Sequence, residues 1–331
     1  MQRREFVTLV GGMAASVLQP VDTRAQPRER MRRLAMLGAA AADDTEQQVR
    51  TAAFMQGLAQ LGWTVGRNLR IDFRWAAGDT ERIRKHAAEL VALAPDVILA
   101  HGGSAVAPLQ QVTRTVPIVF AGVTDPVGGG FVESMARPGT NATGFIVLEY
   151  GVSGKWLELL KQIAPRVTRV AVVRDLTLAS GSGQFGAIQG VAPAFGVELT
   201  PIGVRDASEV ERAITTFARG PNDGLIVTSS ALAAVHRELI IELAVRHRLP
   251  AVYSSRVWPT AGGLISYGAD IVDQYRLAAS YADRILKGEK PADLPVQAPV
   301  KYETVLNMKT AKALGIDVPA TVLVRADEVI E

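Results

Sequence analysis

Short apolar segments alternate with helical patterns along this chain, and the whole alternation occurs twice. The apolar segments of the first half are residues 34–37, 69–73, 97–100 and 118–121, with a further one near 141–147. Between them, apolar residues recur at helical spacing. A strand that is buried on both faces needs a crossover before the next strand can run in the same direction. The pattern therefore predicts a parallel sheet with helices on both faces.

The second half repeats this order after an amphipathic helical pattern at residues 153–163. Its apolar segments are residues 170–173, 197–202, 225–228, 251–253 and 264–267. A long helical pattern follows at 271–286 and stops at Lys287-Gly288, a typical helix end. Residues 296–307 have strand character and precede a short helical stretch at 308–314. We predict an α/β fold of two doubly wound parallel-sheet lobes joined by a multi-strand hinge.

The length of 331 residues suits two domains of ordinary size. We expect lobe one to contain residues 32–147 plus part of 287–331, and lobe two to contain 148–286. The hinge crossings are expected near residues 147–150, 267–270 and 287–305. A hinge of this kind lets two lobes close around a ligand, as in a Venus flytrap.

Residues 1–25 have the pattern of an export signal. Arg3 and Arg4 precede an uncharged stretch, residues 6–21, that is too short to span a bilayer, and Ala25 suits signal-peptidase cleavage. The paired arginines followed by Glu5 resemble a twin-arginine signal, while an ordinary Sec signal explains them equally well. Both routes predict a periplasmic protein, and the absence of Cys from the sequence excludes lipid attachment through a lipoprotein cysteine.

Composition argues against several other classes of function. The formal net charge is only +3, and no basic stripe recurs beside aromatic residues, so we expect no nucleic-acid binding. The four histidines have no metal-ligand spacing, and neither a zinc-protease motif nor a nucleophile elbow is present. The run Gly128-Gly129-Gly130 matches neither a phosphate loop nor a dinucleotide fingerprint. We expect no catalytic residue, metal or cofactor.

Ligands of parallel sheets bind at the carboxyl ends of the strands, so the loops there contain the candidate site of lobe one. Gly103 and Ser104 follow a strand and open a helix, where free backbone N–H groups favour an anion. Thr124 and Asp125 follow the next strand and offer a hydroxyl and a carboxylate. All four could instead serve as turn and helix-cap residues.

The equivalent loops of lobe two contribute polar and aromatic candidates. Tyr253 could stack on an organic ligand, although a tyrosine at a strand end is often a half-buried packing residue. Tyr267 lies near the second expected crossover and could belong to the hinge, the cleft wall or both. The remaining candidates are polar residues at strand ends, namely Asp175, Ser229, Ser230 and Ser254.

Several short segments, in order, resemble the family of ABC-transporter substrate-binding proteins that includes binders of tryptophan and other aromatic amino acids. The matching segments are Arg3-Arg4-Glu5-Phe6, Gly57-Leu58, Leu61-Gly62-Trp63, Pro117-Ile118-Val119-Phe120, Asp125-Pro126-Val127 and residues 136–144.

This resemblance implies a type I periplasmic-binding-protein fold that binds a small molecule, first of all an amino acid, without reaction. It also implies a membrane permease and its ATPase as partners. By position, the cleft residues of the family correspond to Ser104, Thr124, Asp125, Ser229 and Tyr253. Thr143 and Gly144 correspond to positions near the hinge.

Two other classes of protein use the same scaffold. A periplasmic enzyme acting on a small metabolite is the main alternative, since doubly wound lobes also hold nucleotide-dependent catalysts. A ligand-binding transcription regulator would need a DNA-binding module where this chain has an export signal. We expect a monomer that binds its ligand in the cleft between the lobes.

Overall fold

The computed structural model describes residues 30–331, so the predicted export signal at residues 1–25 lies outside the described residues. The first lobe begins with alternating strands and helices, in the order that the sequence pattern predicts. They are β1 (Arg32–Gly38), α1 (Thr45–Gln60), β2 (Leu69–Trp75), α2 (Thr80–Ala92), β3 (Val97–His101), α3 (Gly103–Val112), β4 (Ile118–Val123) and β5 (Ala142–Ile146).

The sheet of lobe one has the strand order β2-β1-β3-β4-β5, and all of its strand pairs are parallel. Its central strands are buried along nearly their whole length, as expected for a sheet covered on both faces. Since β1 has neighbours on both sides, β2 and β3, the loops after β1 and β3 lie beside each other at the carboxyl edge.

The second lobe continues the alternation and includes the end of the chain. The remaining elements of the chain are α4 (Tyr150–Ile163), β6 (Arg169–Asp175), α5 (Ala179–Val191), β7 (Glu198–Val204), α6 (Ala207–Phe217), β8 (Asp223–Val227), α7 (Ala231–Val235), α8 (Arg237–Arg246), β9 (Ala251–Tyr253), α9 (Val257–Thr260), β10 (Ile265–Ala269), α10 (Ile271–Leu286), β11 (Tyr302–Asn307), α11 (Met308–Leu314), α12 (Ala320–Arg325) and β12 (Glu328–Ile330). All of them belong to lobe two except α10, which packs on lobe one.

The sheet of lobe two has the order β12-β11-β10-β9-β8-β6-β7. Its pairs are parallel except for the antiparallel pair of β10 and β11. The two sheets therefore confirm the predicted α/β class with two doubly wound lobes. No helix between residues 30 and 331 has both the length and the apolar character needed to cross a membrane.

Helix α10 packs on lobe one, whereas the sequence analysis assigned it to lobe two. Its residues Tyr275, Ala278 and Ala282 are buried in one apolar cluster with Leu34 and Phe54 of lobe one. The sequence pattern predicts an apolar stripe on α10 but does not indicate which sheet this stripe covers. The face of the first sheet beside α1 needs a second helix, and α10 fills that position.

The chain passes between the sheets at three places. Residues 147–149 connect β5 to α4, and Asp270 separates β10 from α10. After α10, Leu294 and Val296 still pack with lobe one, and the third passage at 298–301 leads to β11 in the second sheet. Three backbone connections side by side form the hinge.

Gly57 sits where α1 and α10 approach most closely. A Cβ atom at Gly57 would lie 2.7 Å from the Ala279 Cβ and 3.1 Å from the Arg276 carbonyl oxygen, so Gly57→Ala pushes the two helices apart. We expect this change to lower the free energy of unfolding by about 1–3 kcal/mol, as overpacking does.

The matched control is Gly186→Ala, on an exposed face of α5 where a Cβ would meet nothing within 4 Å. It should raise the free energy of unfolding by about 0.5–1 kcal/mol through helix propensity. Urea unfolding of both variants measures the difference. Equal effects of the two substitutions would contradict the close packing of α10 on lobe one.

Candidate functional site

Three adjoining cavities lie between the lobes at the carboxyl ends of both sheets. The α3 chamber, about 40 Å³, is lined by Gly102, Gly103, Thr124, Ser180 and Ser229 among others. The hinge chamber, about 60 Å³, shares Gly122, Ser229 and Ser230 with it. The α1 chamber, about 220 Å³, shares Arg50, His101, Ala234 and Val257 with the hinge chamber. The shared walls make the three chambers one continuous cleft.

Side chains of the two lobes meet across this cleft. The Tyr150 hydroxyl of lobe two donates to Asp125 Oδ2 of lobe one at 2.6 Å. Elsewhere in the cleft, Arg237 of lobe two forms an ion pair with Asp44 of lobe one at 2.9 Å. The lobes are thus in contact across the cleft, and the three chambers lie between them.

Two helix N-termini point into the α3 chamber from opposite lobes. Helix α3 begins after Gly102, whose φ of 72° is in the left-handed region that favours glycine. Helix α5 begins after Leu178. Neither helix has a side-chain cap, so backbone N–H groups of both first turns are free of capping bonds and favour negative charge nearby. Gly103, a predicted ligand contact, lines this chamber.

The other predicted residues of lobe one have distinct surroundings. The Oγ of Ser104 is buried, and no hydrogen-bond partner for it exists within residues 30–331. Thr124 lines the α3 chamber. Asp125 lines it too, but its Oδ1 accepts from the Gly128 N–H at 2.7 Å and its Oδ2 accepts from Tyr150. Asp125 therefore joins the lobes and caps a turn.

In lobe two, the predicted polar residues form a connected group at the ends of β6, β8 and β9. Ser229 and Ser230 line both the α3 and the hinge chambers, and Ser254 lines the hinge chamber. Asp175 is buried behind them and accepts a hydrogen bond from the Ser230 hydroxyl at 3.2 Å. Asp175 therefore orients Ser230 without itself lining a chamber.

Two predicted contacts lie away from the cleft. Tyr253 is 1% exposed in the core of lobe two, where it stacks on Trp258 with ring centroids 4.8 Å apart. Successive strand residues point to opposite faces, so Tyr253 turns inward while Ser254 reaches the cleft. Tyr267 stacks on Tyr302 and lines an outer groove beside α4. The structure thus places both tyrosines outside the three chambers.

Arg50 lines the α1 and hinge chambers, although the sequence analysis did not select it. The search there covered loops at strand ends, whereas Arg50 lies in the second turn of α1. It follows Gln47 and precedes Phe54 at helical spacing, and both of these residues are buried. The sequence signal that indicates Arg50 as a candidate is an arginine on the buried stripe of a helix.

His101 ends β3 beside Arg50 and is held as a neutral ring. Burial lowers its pKa from 6.5 to about 3, and the charge of Arg50 acts in the same direction. Burial also raises the pKa of Tyr275 to about 12, so its hydroxyl keeps its proton, and the hydroxyl oxygen lies 2.5 Å from His101 Nδ1. This hydrogen bond holds the neutral imidazole in place.

The carboxylate of Asp44 lies near the same two residues. Burial alone would raise its pKa, but bonds from the Gln47 N–H and from Arg237, together with the charge of Arg50, hold that pKa below 3.8. Asp44 is therefore ionised at neutral pH. Within residues 30–331, no group of three or more His, Cys, Asp or Glu residues is arranged to hold a metal ion.

The neutral state of His101 predicts a pH dependence of stability. At a pH below 6.5 the unfolded chain takes up a proton at His101, while the folded chain does so only near pH 3. The contribution of neutral His101 to the free energy of unfolding is therefore complete above pH 6.5 and is lost as the pH falls. Between pH 7 and pH 5 this loss is about 2 kcal/mol.

His101→Asn keeps a group that accepts from Tyr275 but cannot titrate in this range. We expect the decrease in unfolding free energy between pH 7 and pH 5 to be smaller in the variant by about 2 kcal/mol. Urea unfolding at both pH values measures it. The same decrease in both proteins would show that His101 titrates normally in the folded state.

Comparisons with known proteins agree with this architecture. Residues 43–330 match the protein family described as ABC transporter substrate binding protein. The tyrosine-binding protein of Clostridioides difficile (strain R20291) is 28% identical over 263 residues, which cover 80% of this chain and 75% of that protein.

Two solved structures have closely similar folds. A conserved domain protein from Vibrio cholerae superposes with a TM-score of 0.85 and 27% identity, covering 91% of this chain and 100% of that one. The ABC domain from Streptococcus pneumoniae in complex with L-Trp gives a TM-score of 0.84 and 24% identity, covering 90% and 99%. The fold predicted from the sequence and the family resemblance are both confirmed: this chain belongs to the ABC transporter substrate-binding protein family.

Proposed function

We propose that this protein captures an amino acid, aromatic ones first, in the cleft between its lobes and delivers it to the permease of an ABC importer. The observation that carries the proposal is the cleft itself. The lobes touch through Tyr150–Asp125 and Arg237–Asp44, yet chambers with both polar and apolar walls remain between them. A cleft whose lobes touch on both sides of such a space is suited to trapping a small ligand.

The choice of an amino acid rests on the chemistry of the walls and on the relatives. The cleft offers a cationic side chain, carboxylates, serine hydroxyls and free helix N–H groups, which together suit a ligand with both charges. One relative is a tyrosine-binding protein, and one structural neighbour holds L-Trp. Affinity in such a site comes from many modest contacts completed on closure.

The same proposal covers location and partners. Residues 1–25 act as an export signal cleaved near Ala25, so the mature protein works in the periplasm as a monomer. Its partners are the ligand, a membrane permease and the ATPase of that permease. The ligand leaves the site chemically unchanged, because the role is binding and release without catalysis.

A thermal-shift screen of the purified protein tests this function. The panel contains the twenty amino acids, D-glucose, nucleosides and small carboxylates, and calorimetry measures each hit. At 100 times its Kd, a ligand that binds only the folded state stabilises it by about 2.7 kcal/mol. We expect L-Tyr or L-Trp to give the largest shift and to be recovered unchanged by mass spectrometry. Binding of glucose or a nucleoside in preference to all amino acids, or conversion of a hit, would contradict the proposal.

The cross-lobe bond from Tyr150 predicts a defined loss of affinity. Tyr150→Phe removes the 2.6 Å hydrogen bond to Asp125 and leaves the ring in place. A hydrogen bond of this kind is worth about 1 kcal/mol net, so we expect calorimetry to show an affinity for the ligand about 5-fold weaker. The matched control is Tyr267→Phe in the outer groove, which should not change affinity. Unchanged affinity in Tyr150→Phe would mean that this contact does not favour the closed state.

A further inference from the structure

Arg50 lines two of the three chambers of the cleft, and no described residue from 30 to 331 forms a hydrogen bond or ion pair with it. Its Nε is buried, with no acceptor among these residues. Asp44, whose pKa the charge of Arg50 helps to lower, already accepts from the Gln47 N–H through Oδ1 and from Arg237 through Oδ2. A half-buried charge without a partner is costly, and an anion that enters the cleft would remove that cost.

The surroundings of Arg50 favour a carboxylate. Its planar guanidinium can donate two parallel N–H bonds to the two oxygens of a carboxylate. Neutral His101 lines both of the same chambers, and its Nδ1 contacts the Tyr275 hydroxyl. Because this ring is uncharged, it adds no second positive charge beside Arg50.

A negative partner for an ammonium group lies on the same helix. Glu46 is four residues before Arg50 and also lines the α1 chamber. Side chains four residues apart on a helix are neighbours, with Cβ atoms about 5–6 Å apart. Glu46 forms no ion pair with Arg50 or with any other residue in the described part of the chain. An α-amino acid has its ammonium and carboxylate on one carbon, and so matches two adjacent charges of opposite sign.

From these contacts we infer that Arg50 binds the α-carboxylate and Glu46 the α-ammonium of a free amino acid, whose side chain lies in the α1 chamber and reaches towards the hinge chamber. The inference rests on the proposed function and names the anchor of that site. The hinge chamber has apolar walls at Val147, Val257 and Ile271 and hydroxyls at Ser254 and Ser255. Such walls suit an apolar or aromatic side chain with a polar tip.

The competing anion site is the start of α3, which the sequence analysis selected. It faces a chamber of about 40 Å³, against about 220 Å³ beside Arg50. Apolar side chains also cover it: a Cβ at Gly103 would lie 3.3 Å from Phe131 and 3.7 Å from Leu178. Space and charge together therefore assign the carboxylate to Arg50.

A double-mutant cycle between protein and ligand tests the assignment by calorimetry. The proteins are wild type, Arg50→Met, Ser104→Ala at the competing site, and Arg82→Met as an exposed arginine control on α2. The probes are L-tyrosine, tyramine, which lacks the carboxylate, and 3-(4-hydroxyphenyl)propanoate, which lacks the ammonium. L-tryptophan, tryptamine and indole-3-propanoate replace them when tryptophan is the better ligand.

We expect Arg50→Met to weaken binding of the amino acid by about 30- to 100-fold, in the range for truncating one partner of a buried charge pair. In the wild-type protein, removing the carboxylate from the ligand should weaken binding by a similar factor. In Arg50→Met the same change to the ligand should have little effect on affinity, which is the signature of a direct contact. Ser104→Ala and Arg82→Met should stay within about 3-fold of wild type. Glu46→Gln should abolish most of the preference for tyrosine over 3-(4-hydroxyphenyl)propanoate.

The outcomes separate this inference from the proposed function. If wild type binds no amino acid, the proposed function fails and the anchor fails with it. If wild type binds an amino acid but Arg50→Met binds it equally well, or if Ser104→Ala shows the large loss instead, the function stands and the anchor is wrong. The melting temperature of ligand-free Arg50→Met should equal or exceed that of wild type. A marked decrease would assign Arg50 a structural role and overturn the inference.

Discussion

The packing of α10 against α1 is the contact on which the rest of this structure depends. A parallel sheet must be covered on both faces, and the β1 to β5 segment alone leaves part of one face of the first sheet to be covered from elsewhere. The chain solves this by returning from β10 to lobe one, where Tyr275 and Ala278 are buried beside Phe54. It must then cross again to reach β11. The chain therefore crosses the hinge three times because α10 has to return to lobe one to cover one apolar face of the first sheet.

The same packing shapes the chemistry of the cleft. Tyr275 comes from α10, and its hydroxyl forms a hydrogen bond with His101 Nδ1. Helix α1 is held against α10 through Gly57 and presents Arg50 to the cleft from its second turn. The burial that stabilises lobe one therefore also keeps His101 neutral beside a charged arginine. Core packing and site electrostatics share the same helices.

Much of the fold could be predicted from the sequence because each strand and helix has its own local apolar pattern. The partner of an amphipathic helix is not a local property, and for this reason α10 was assigned to the wrong lobe. In the site, the rule that ligands meet the carboxyl ends of strands selected Gly103, Thr124, Ser229, Ser230 and Ser254, and the structure places these residues in the walls of the chambers. It could not tell which of two successive residues at a strand end faces the core, and Tyr253 was the error that followed. It also excluded the interiors of helices, where Arg50 lies.

The division of polar groups between the lobes has a consequence for how a ligand would enter. Lobe one contributes Arg50 and Glu46, which are charged and lie on one helix. Lobe two contributes hydroxyls at Ser229, Ser230 and Ser254, and its charged residues Arg237 and Glu238 line the α1 chamber, where Arg237 is paired with Asp44 of lobe one. Charges attract a zwitterion over a longer distance than hydroxyl groups do, because hydrogen bonds act only at contact. With Arg50 as the anchor, the ligand binds first to lobe one, and closure of lobe two then adds the short-range bonds. Tight binding then requires both lobes, because the charges of lobe one orient the ligand and the hydroxyls of lobe two hold the cleft shut around it.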